Sequence, residues 1–240
     1  MTEPQAPQIL PYESREPRPE PRSTRLDDFA YALPMAAFLA FTWAGGRWES
    51  FFTLSYVLKT LAAGLLIVFF WKRYTRITWD YWWLGIIVGV LGIVQWVGME
   101  KLVGPYYPHI SPSTDGFNPH TAFSSPAVMW AFILVRWAGA AIVVPFMEEL
   151  FWRDWLWRTF IAPNDFKLAK VGEWDWKAVV GVALFFASVH PMWLTAIVWG
   201  LMIGGLLLWT RSLGACIIAH AVTNFLLGAY VQYTQEWFWW

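Results

Sequence analysis

The chain has 240 residues, of which 58% are hydrophobic and only 14% are charged. Soluble domains typically carry about 25% charged residues, so this composition excludes an ordinary soluble protein and predicts an integral membrane protein. The formal net charge is zero, which gives no indication of a polyanionic partner such as nucleic acid. Cys216 is the only cysteine, so an intrachain disulfide and a multi-cysteine metal site are both excluded.

The first 28 residues form a polar segment rich in proline, in which glutamate alternates with arginine. Such a composition cannot bury enough apolar surface to fold, so we expect a disordered cytoplasmic tail over residues 1–28. No apolar run follows its start directly, which argues against a cleavable signal peptide. The remaining residues, 29–240, are predicted to form a helical membrane domain.

Seven apolar segments with lengths near that of a membrane span make up this domain. They cover residues 29–46, 51–71, 82–99, 126–152, 176–191, 193–210 and 212–232. We therefore predict an all-α polytopic fold with about seven transmembrane helices, or eight if one span is missed.

The basic residues predict how these helices cross the membrane. With the N-terminus in the cytoplasm, most Lys and Arg residues fall in the tail and the cytoplasmic loops, and only Arg47 and Lys101 fall in outer loops. By the positive-inside rule, this asymmetry predicts a multi-pass protein of the cell inner (plasma) membrane with a cytoplasmic N-terminus. On that topology, residues 148–153 lie at the cytoplasmic end of the fourth segment, and residues 151–160 continue it along the inner interface.

Two adjacent carboxylates, Glu148 and Glu149, lie near the end of the fourth segment. Ionisable groups inside a membrane are costly, so they usually mark a functional site. On a helix the two side chains point about 100° apart, and Glu149 is spaced to form an ion pair with Arg153. Glu148 is left without an intrahelical partner and is a candidate general base. A plain interfacial ion pair beside one solvated glutamate is the alternative.

Two histidines and an asparagine lie in later apolar segments. His190 ends the fifth segment, and His220 and Asn224 lie four residues apart in the seventh, on one helix face. Polar groups in hydrocarbon need partners, so their joint presence favours one shared site. A carboxylate and an imidazole can activate water, and an imidazole and an amide can stabilise an oxyanion. The spacing leaves open which histidine has which task.

Three motifs occur in order along these segments: E-E-x-x-x-R at residues 148–153, F-x-x-x-H at 186–190 and H-x-x-x-N at 220–224. In these motifs, the chain resembles the CAAX protease and bacteriocin-processing family, the Rce1-like glutamate intramembrane proteases. The resemblance covers roughly the C-terminal half of the chain. The twenty tryptophans also resemble the bacterial subgroup of CAAX prenyl protease-related proteins associated with exosortase and PEP-CTERM sorting.

The resemblance implies an all-helical membrane fold with a cavity open to the cytosol and the bilayer. It implies that Glu148 and His220 activate the water and that His190 and Asn224 form the oxyanion hole. It further implies that Glu149, with its arginine partner, supports the site. The catalytic motifs would then all lie within residues 144–232.

The predicted function is an intramembrane endopeptidase of this class, which cleaves near the C-terminus of a protein or peptide held at the cytoplasmic face. The expected partners are this substrate, the lipid bilayer and candidate exosortase-system proteins, with no nucleic acid. No cofactor is expected, and zinc bound by Glu148, His190 and His220 is the metal-dependent alternative. A non-catalytic scaffold or immunity-type partner of the same fold is the other alternative, which the complete set of catalytic residues disfavours.

Overall fold

The computed structural model describes residues 22–110 and 116–240. Every regular element in those ranges is helical, which confirms the predicted all-α fold. In chain order, the α-helices are α1 (Arg25–Arg47), α2 (Phe52–Phe69), α3 (Trp82–Val103), α4 (Pro119–Ala122), α5 (Pro126–Ala138), α6 (Val144–Glu149), α7 (Trp157–Ile161), α8 (Trp176–Ser188), α9 (Trp193–Thr210) and α10 (Leu213–Thr234).

Six helical segments of the described ranges are long and apolar enough to cross a membrane. The seventh predicted segment, 176–191, is represented by α8, which has only 13 residues. At 1.5 Å per residue, α8 is about 20 Å long, which is shorter than the hydrocarbon core of about 30 Å. Pro191 disfavours a helical conformation at His190, so the helix ends before that residue, at Ser188. The number of full spans is therefore six in the described ranges, against about seven predicted.

The predicted tail lies mostly outside the described residues, which begin at residue 22. Helix α1 begins at Arg25 and so includes the last four residues of the predicted tail. A capping box sets this start: Thr24 Oγ accepts a hydrogen bond from the Asp27 backbone, and the Asp27 carboxylate accepts one from the Thr24 backbone. These two bonds satisfy backbone donors that a helix otherwise leaves unpaired.

The fourth predicted segment becomes a continuous helical run of 36 residues, Pro126–Ile161. Two π-helical segments, Gly139–Val143 and Leu150–Leu156, interrupt it on either side of α6. Pro145 has no N–H to give to the carbonyl of the preceding turn, so the α-helical pattern cannot pass through it unchanged. Glu148 and Glu149 thus lie on a short helix between two changes of helical register.

Residues 151–160 continue the helical run as expected, and their place at the membrane interface stays a prediction. This stretch contains five buried residues: Trp152, Arg153, Asp154, Trp157 and Arg158. Its charges tolerate burial because each arginine pairs with a carboxylate four residues earlier, at 3.2 Å for Arg153–Glu149 and 2.7 Å for Arg158–Asp154. Charged groups are found inside membrane proteins when they are paired in this way.

Helix α10, which carries the third motif, packs closely against α3. A Cβ atom at Gly89 of α3 would lie 2.6 Å from Val222 Cβ, and one at Gly85 would lie 2.5 Å from the Ala215 carbonyl oxygen. Small residues allow two membrane helices to approach this closely. These glycines therefore set the position of α10, and with it the position of His220.

The bundle has two ends. At the "basic end", α1 begins, α2 meets α3, α7 meets α8, and α9 meets α10; at the "loop end", α1 meets α2, α3 meets α5, α8 meets α9, and α10 stops. Asp27 ties the basic end together through contacts with Arg73 at 3.6 Å and Lys167 at 3.1 Å. The Lys and Arg residues there are Arg22, Arg25, Lys72, Arg73, Arg76, Lys167, Lys170, Lys177 and Arg211. Which end faces the cytoplasm stays a prediction.

Candidate active site

A cavity of about 360 Å³ lies within the bundle. Glu148, His190, His220 and Asn224 all line it, so the structure brings the four candidate catalytic residues together. They come from α6, from the turn after α8 and from α10. Glu149 does not line the cavity, as expected for a side chain about 100° around the helix from its neighbour.

Much of the remaining lining is aromatic. Trp96, Trp199, Trp239 and Trp240 all contribute to it. Sequence reasoning missed these four tryptophans. Trp96, Trp239 and Trp240 lie near or beyond the end of an apolar segment, where tryptophan is equally typical of an anchor at the membrane interface, and Trp199 lies inside an apolar segment without a pattern that marks it. The residues that follow α10 therefore form part of the site.

Glu149 links the first motif to the third. Its Oε1 atom lies 3.2 Å from Arg153 Nη1 and 2.8 Å from His220 Nδ1, and all three side chains are buried. The spacing pointed to the contact with Arg153, but no sequence pattern pointed to the contact with His220. The carboxylate that touches His220 is therefore Glu149 and not Glu148.

The hydrogen-bond partners of His190 and His220 determine which ring nitrogen of each can contact a ligand in the cavity. His220 Nδ1 faces the carboxylate of Glu149, so it carries a proton and donates it. His190 Nδ1 lies 2.7 Å from the Phe186 carbonyl oxygen, which can only accept, so this nitrogen also carries a proton. In both rings, Nε2 is the atom available to a ligand.

An aromatic stack supports both histidines. Phe186 stacks on His190 with ring centroids 4.3 Å apart and on Trp199 at 5.1 Å, and Trp199 meets the ring of His220 at 4.6 Å. The Arg153 guanidinium lies 4.9 Å from the Phe186 ring centroid, a favourable distance for a cation–π contact. Phe186 thus contacts His190 through both its ring and its carbonyl group, which explains the four-residue spacing of the second motif.

Asn224 is held by the distorted part of the long helical run. Its Nδ2 atom donates a hydrogen bond of 2.8 Å to the carbonyl of Ala140, which lies in the first π-helical segment. Helical segments of this type often accompany functional sites. Since an amide nitrogen has two N–H groups, one remains to bind a ligand.

Glu148 is 7% exposed, and its Oε2 atom has no hydrogen-bond partner among the described residues. Buried polar atoms are normally paired, and exceptions often have a chemical role. Within residues 22–110 and 116–240, no three His, Cys, Asp or Glu side chains are grouped so that they could hold a metal ion. These ranges therefore contain no preformed set of zinc ligands. That the protein needs no cofactor stays a prediction.

Residues 129–226 match the model of the Rce1-like family of type II CAAX prenyl endopeptidases. The match contains all three motifs and the four residues that line the cavity together. Comparisons with curated proteins and with solved structures give no match. The family implies intramembrane endopeptidase activity, in agreement with the helices that can span a membrane; the exosortase-associated subgroup is not confirmed. Over residues 129–226, the chain is therefore similar to the Rce1-like family of type II CAAX prenyl endopeptidases.

Proposed function

We propose that this protein hydrolyses a peptide bond within the membrane, using a water molecule activated by Glu148. The observation that carries this proposal is the buried Glu148 oxygen without a described partner, in a cavity lined by two histidines and an asparagine. A general base needs a free acceptor within reach of the water proton, and Glu148 provides one.

The contacts of the histidines favour a division of tasks opposite to the one that the resemblance implies. His190 donates its Nδ1 proton to the neutral Phe186 carbonyl, so a neutral His190 ring has an accepting Nε2 atom. That atom can hold a proton of the attacking water beside Glu148. We therefore assign His190, together with Glu148, to the activation of water.

His220 suits the oxyanion hole. Its ring lies against the Glu149 carboxylate, which balances the positive charge when both ring nitrogens carry protons. Its Nε2–H can then donate to an oxyanion, together with the second N–H of Asn224 on the same helix face. This assignment uses the four predicted catalytic residues and exchanges only the roles of His190 and His220.

The reaction follows from these positions. Glu148 accepts a proton from the water as the water oxygen bonds to the substrate carbonyl carbon, and His220 and Asn224 donate hydrogen bonds to the resulting oxyanion. The oxyanion then collapses, the C–N bond breaks, and Glu148 returns its proton to the leaving nitrogen. The products are a carboxylic acid and an amine, and transfer of the acid's proton to the amine or to water gives the carboxylate, while the side chains regain their starting states.

The substrate that we propose is a membrane-associated protein or peptide, cleaved near its C-terminus. The aromatic lining of the cavity supports an apolar side chain beside the cleaved bond. The protein would act in the cell inner membrane with its N-terminus in the cytoplasm, and exosortase-system proteins are candidate partners.

The test is cleavage of a peptide library by purified, detergent-solubilised protein. Glu148→Gln should abolish cleavage, and Glu49→Gln, at an exposed position between α1 and α2, should leave it unchanged. Undiminished cleavage by the Glu148 variant would refute the proposed base. Loss of cleavage on adding a chelator would support the zinc alternative, and a folded protein that cleaves no peptide would support the scaffold.

A further inference from the structure

We propose that the substrate enters this site from the extracytoplasmic side of the membrane. The inference rests on the proposed function, because it concerns how a peptide reaches the same catalytic residues. It departs from the cytosolic opening that the resemblance implies. Three features support it: the charges at the two ends of the bundle, the position of the cavity between those ends, and the packing beneath Glu148.

The two ends differ strongly in basic residues. The link between α2 and α3 alone places Lys72, Arg73 and Arg76 at the basic end, whereas the loop end has only Arg47 and Lys101 among the described residues. Arg153 and Arg158 are not counted at either end of the bundle, because both are buried in ion pairs. By the positive-inside rule, the basic end faces the cytoplasm.

The cavity lies on the opposite side of Glu148. Beyond the catalytic residues, it is bounded by Pro191 and Met192 in the turn between α8 and α9, and by Phe238, Trp239 and Trp240 after α10. Both segments belong to the loop end. None of the described residues that line the cavity comes from the links at the basic end.

A dense layer separates the carboxylates from the basic end. Arg153, Asp154 and Leu207 have no exposed surface, and Trp157 is 1% exposed. The two arginine–carboxylate pairs of this region lie in the same layer. A peptide that entered from the basic end would have to separate these buried charges, which is strongly unfavourable in a low-dielectric interior.

A second cavity, also of about 360 Å³, provides the route from the loop end. It shares Pro191, Met192, Phe238 and Trp239 with the catalytic cavity, so these residues form the boundary between the two spaces. Its outer lining is charged and comprises Glu100, Lys101, His109 and Glu236. A polar vestibule thus leads into an aromatic cavity, as a peptide passing from water to an apolar site requires.

The boundary residues after α10 are held by polar contacts. Glu236 lies 3.6 Å from Lys101 and accepts hydrogen bonds from Trp239 Nε1 at 2.8 Å and Tyr230 at 2.9 Å. The pKa of Glu236 is lowered, first by the Trp239 bond. Trp240 packs under the guanidinium of Arg136 at 4.8 Å. The substrate class that fits this entrance is a peptide segment on the outer side of the membrane.

The orientation is tested by cysteine labelling in intact cells with a membrane-impermeant maleimide. The native Cys216 is fully buried, so the unchanged chain is the unlabelled control. Tyr106→Cys, at an 85% exposed position of the loop end, should label in intact cells. Leu168→Cys, at a 72% exposed position of the basic end, should label only after lysis. The reverse pattern would overturn the proposal.

The entrance is tested with Phe238→Cys, at a position that borders both cavities and is 40% exposed. A bulky maleimide attached there should abolish peptide cleavage, whereas the same label at Leu168→Cys should not. Cleavage that survives labelling at residue 238, or is lost on labelling at residue 168, would refute entry at the loop end. If no peptide is cleaved at all, the proposed function fails, while the labelling in cells still decides the orientation.

Discussion

Replacing Glu149 with Gln removes a carboxylate that contacts both Arg153 and His220. The Arg153 guanidinium would remain at 0% exposure without its counter-charge. Breaking a buried ion pair by removing one partner costs about 3–5 kcal/mol. We therefore expect Glu149→Gln to lower the free energy of unfolding by an amount in that range, although the two side chains have nearly the same size.

The same change should also weaken catalysis through His220. Its hydrogen bond to a charged partner at 2.8 Å belongs to a class that contributes about 1.5–3 kcal/mol. If that contribution is realised in the transition state, its loss would lower kcat by roughly tenfold to a hundredfold, since about 1.4 kcal/mol corresponds to tenfold in rate.

A double variant separates the two effects. Adding Arg153→Met to Glu149→Gln removes both charges of the ion pair, so stability should return toward that of the unchanged protein. Activity should stay low, because His220 still lacks its carboxylate. Unfolding in detergent can be followed by the fluorescence of the twenty tryptophans, and cleavage by peptide turnover. Recovery of activity together with stability would refute the positioning role of Glu149.

Three further predictions concern packing, the oxyanion and the start of α1. Gly89→Ala should destabilise the protein by about 1–3 kcal/mol, because its Cβ would lie 2.6 Å from Val222 Cβ; Gly98→Ala, which meets nothing within 4 Å, should show no loss in the same unfolding assay. Asn224→Ala should lower kcat by about 10²–10³ with KM little changed, and equal changes in both constants would argue against an oxyanion role. Thr24→Ala should cost about 1 kcal/mol of stability through loss of the cap; an unchanged unfolding midpoint would contradict this.

The convergence of the catalytic residues could be predicted because it depends on short-range geometry. A four-residue spacing places His220 and Asn224 on one helix face whatever the surrounding fold. The contact between Glu149 and His220 could not be predicted in this way. It depends on the register of α6, and the π-helical segments on either side of α6 change that register without a pattern that hydrophobic periodicity detects.

The two other differences have separate physical causes. The apolar run continues past Ser188, where α8 ends, so hydrophobicity alone predicted a longer helix than the structure contains. The full burial of Arg153 and Arg158 was not predicted, because charged residues usually stay in water. Each arginine is buried together with a carboxylate four residues earlier, and the two charges neutralise each other. This four-residue spacing of opposite charges can be recognised in the sequence.

The two intrahelical ion pairs also bear on how the long helical run, Pro126–Ile161, enters the membrane during synthesis. An isolated Asp, Lys or Arg at the centre of an inserting helix costs about 2.5–3.5 kcal/mol. Because Arg153 and Arg158 each pair with a carboxylate one turn earlier on the same helix, these charges can be neutralised before any other helix is present. Insertion of this segment therefore need not wait for α10 to be synthesised. Glu148, which has no such partner on its own helix, gains its polar neighbours His220 and Asn224 only when α10 has closed the bundle around the cavity.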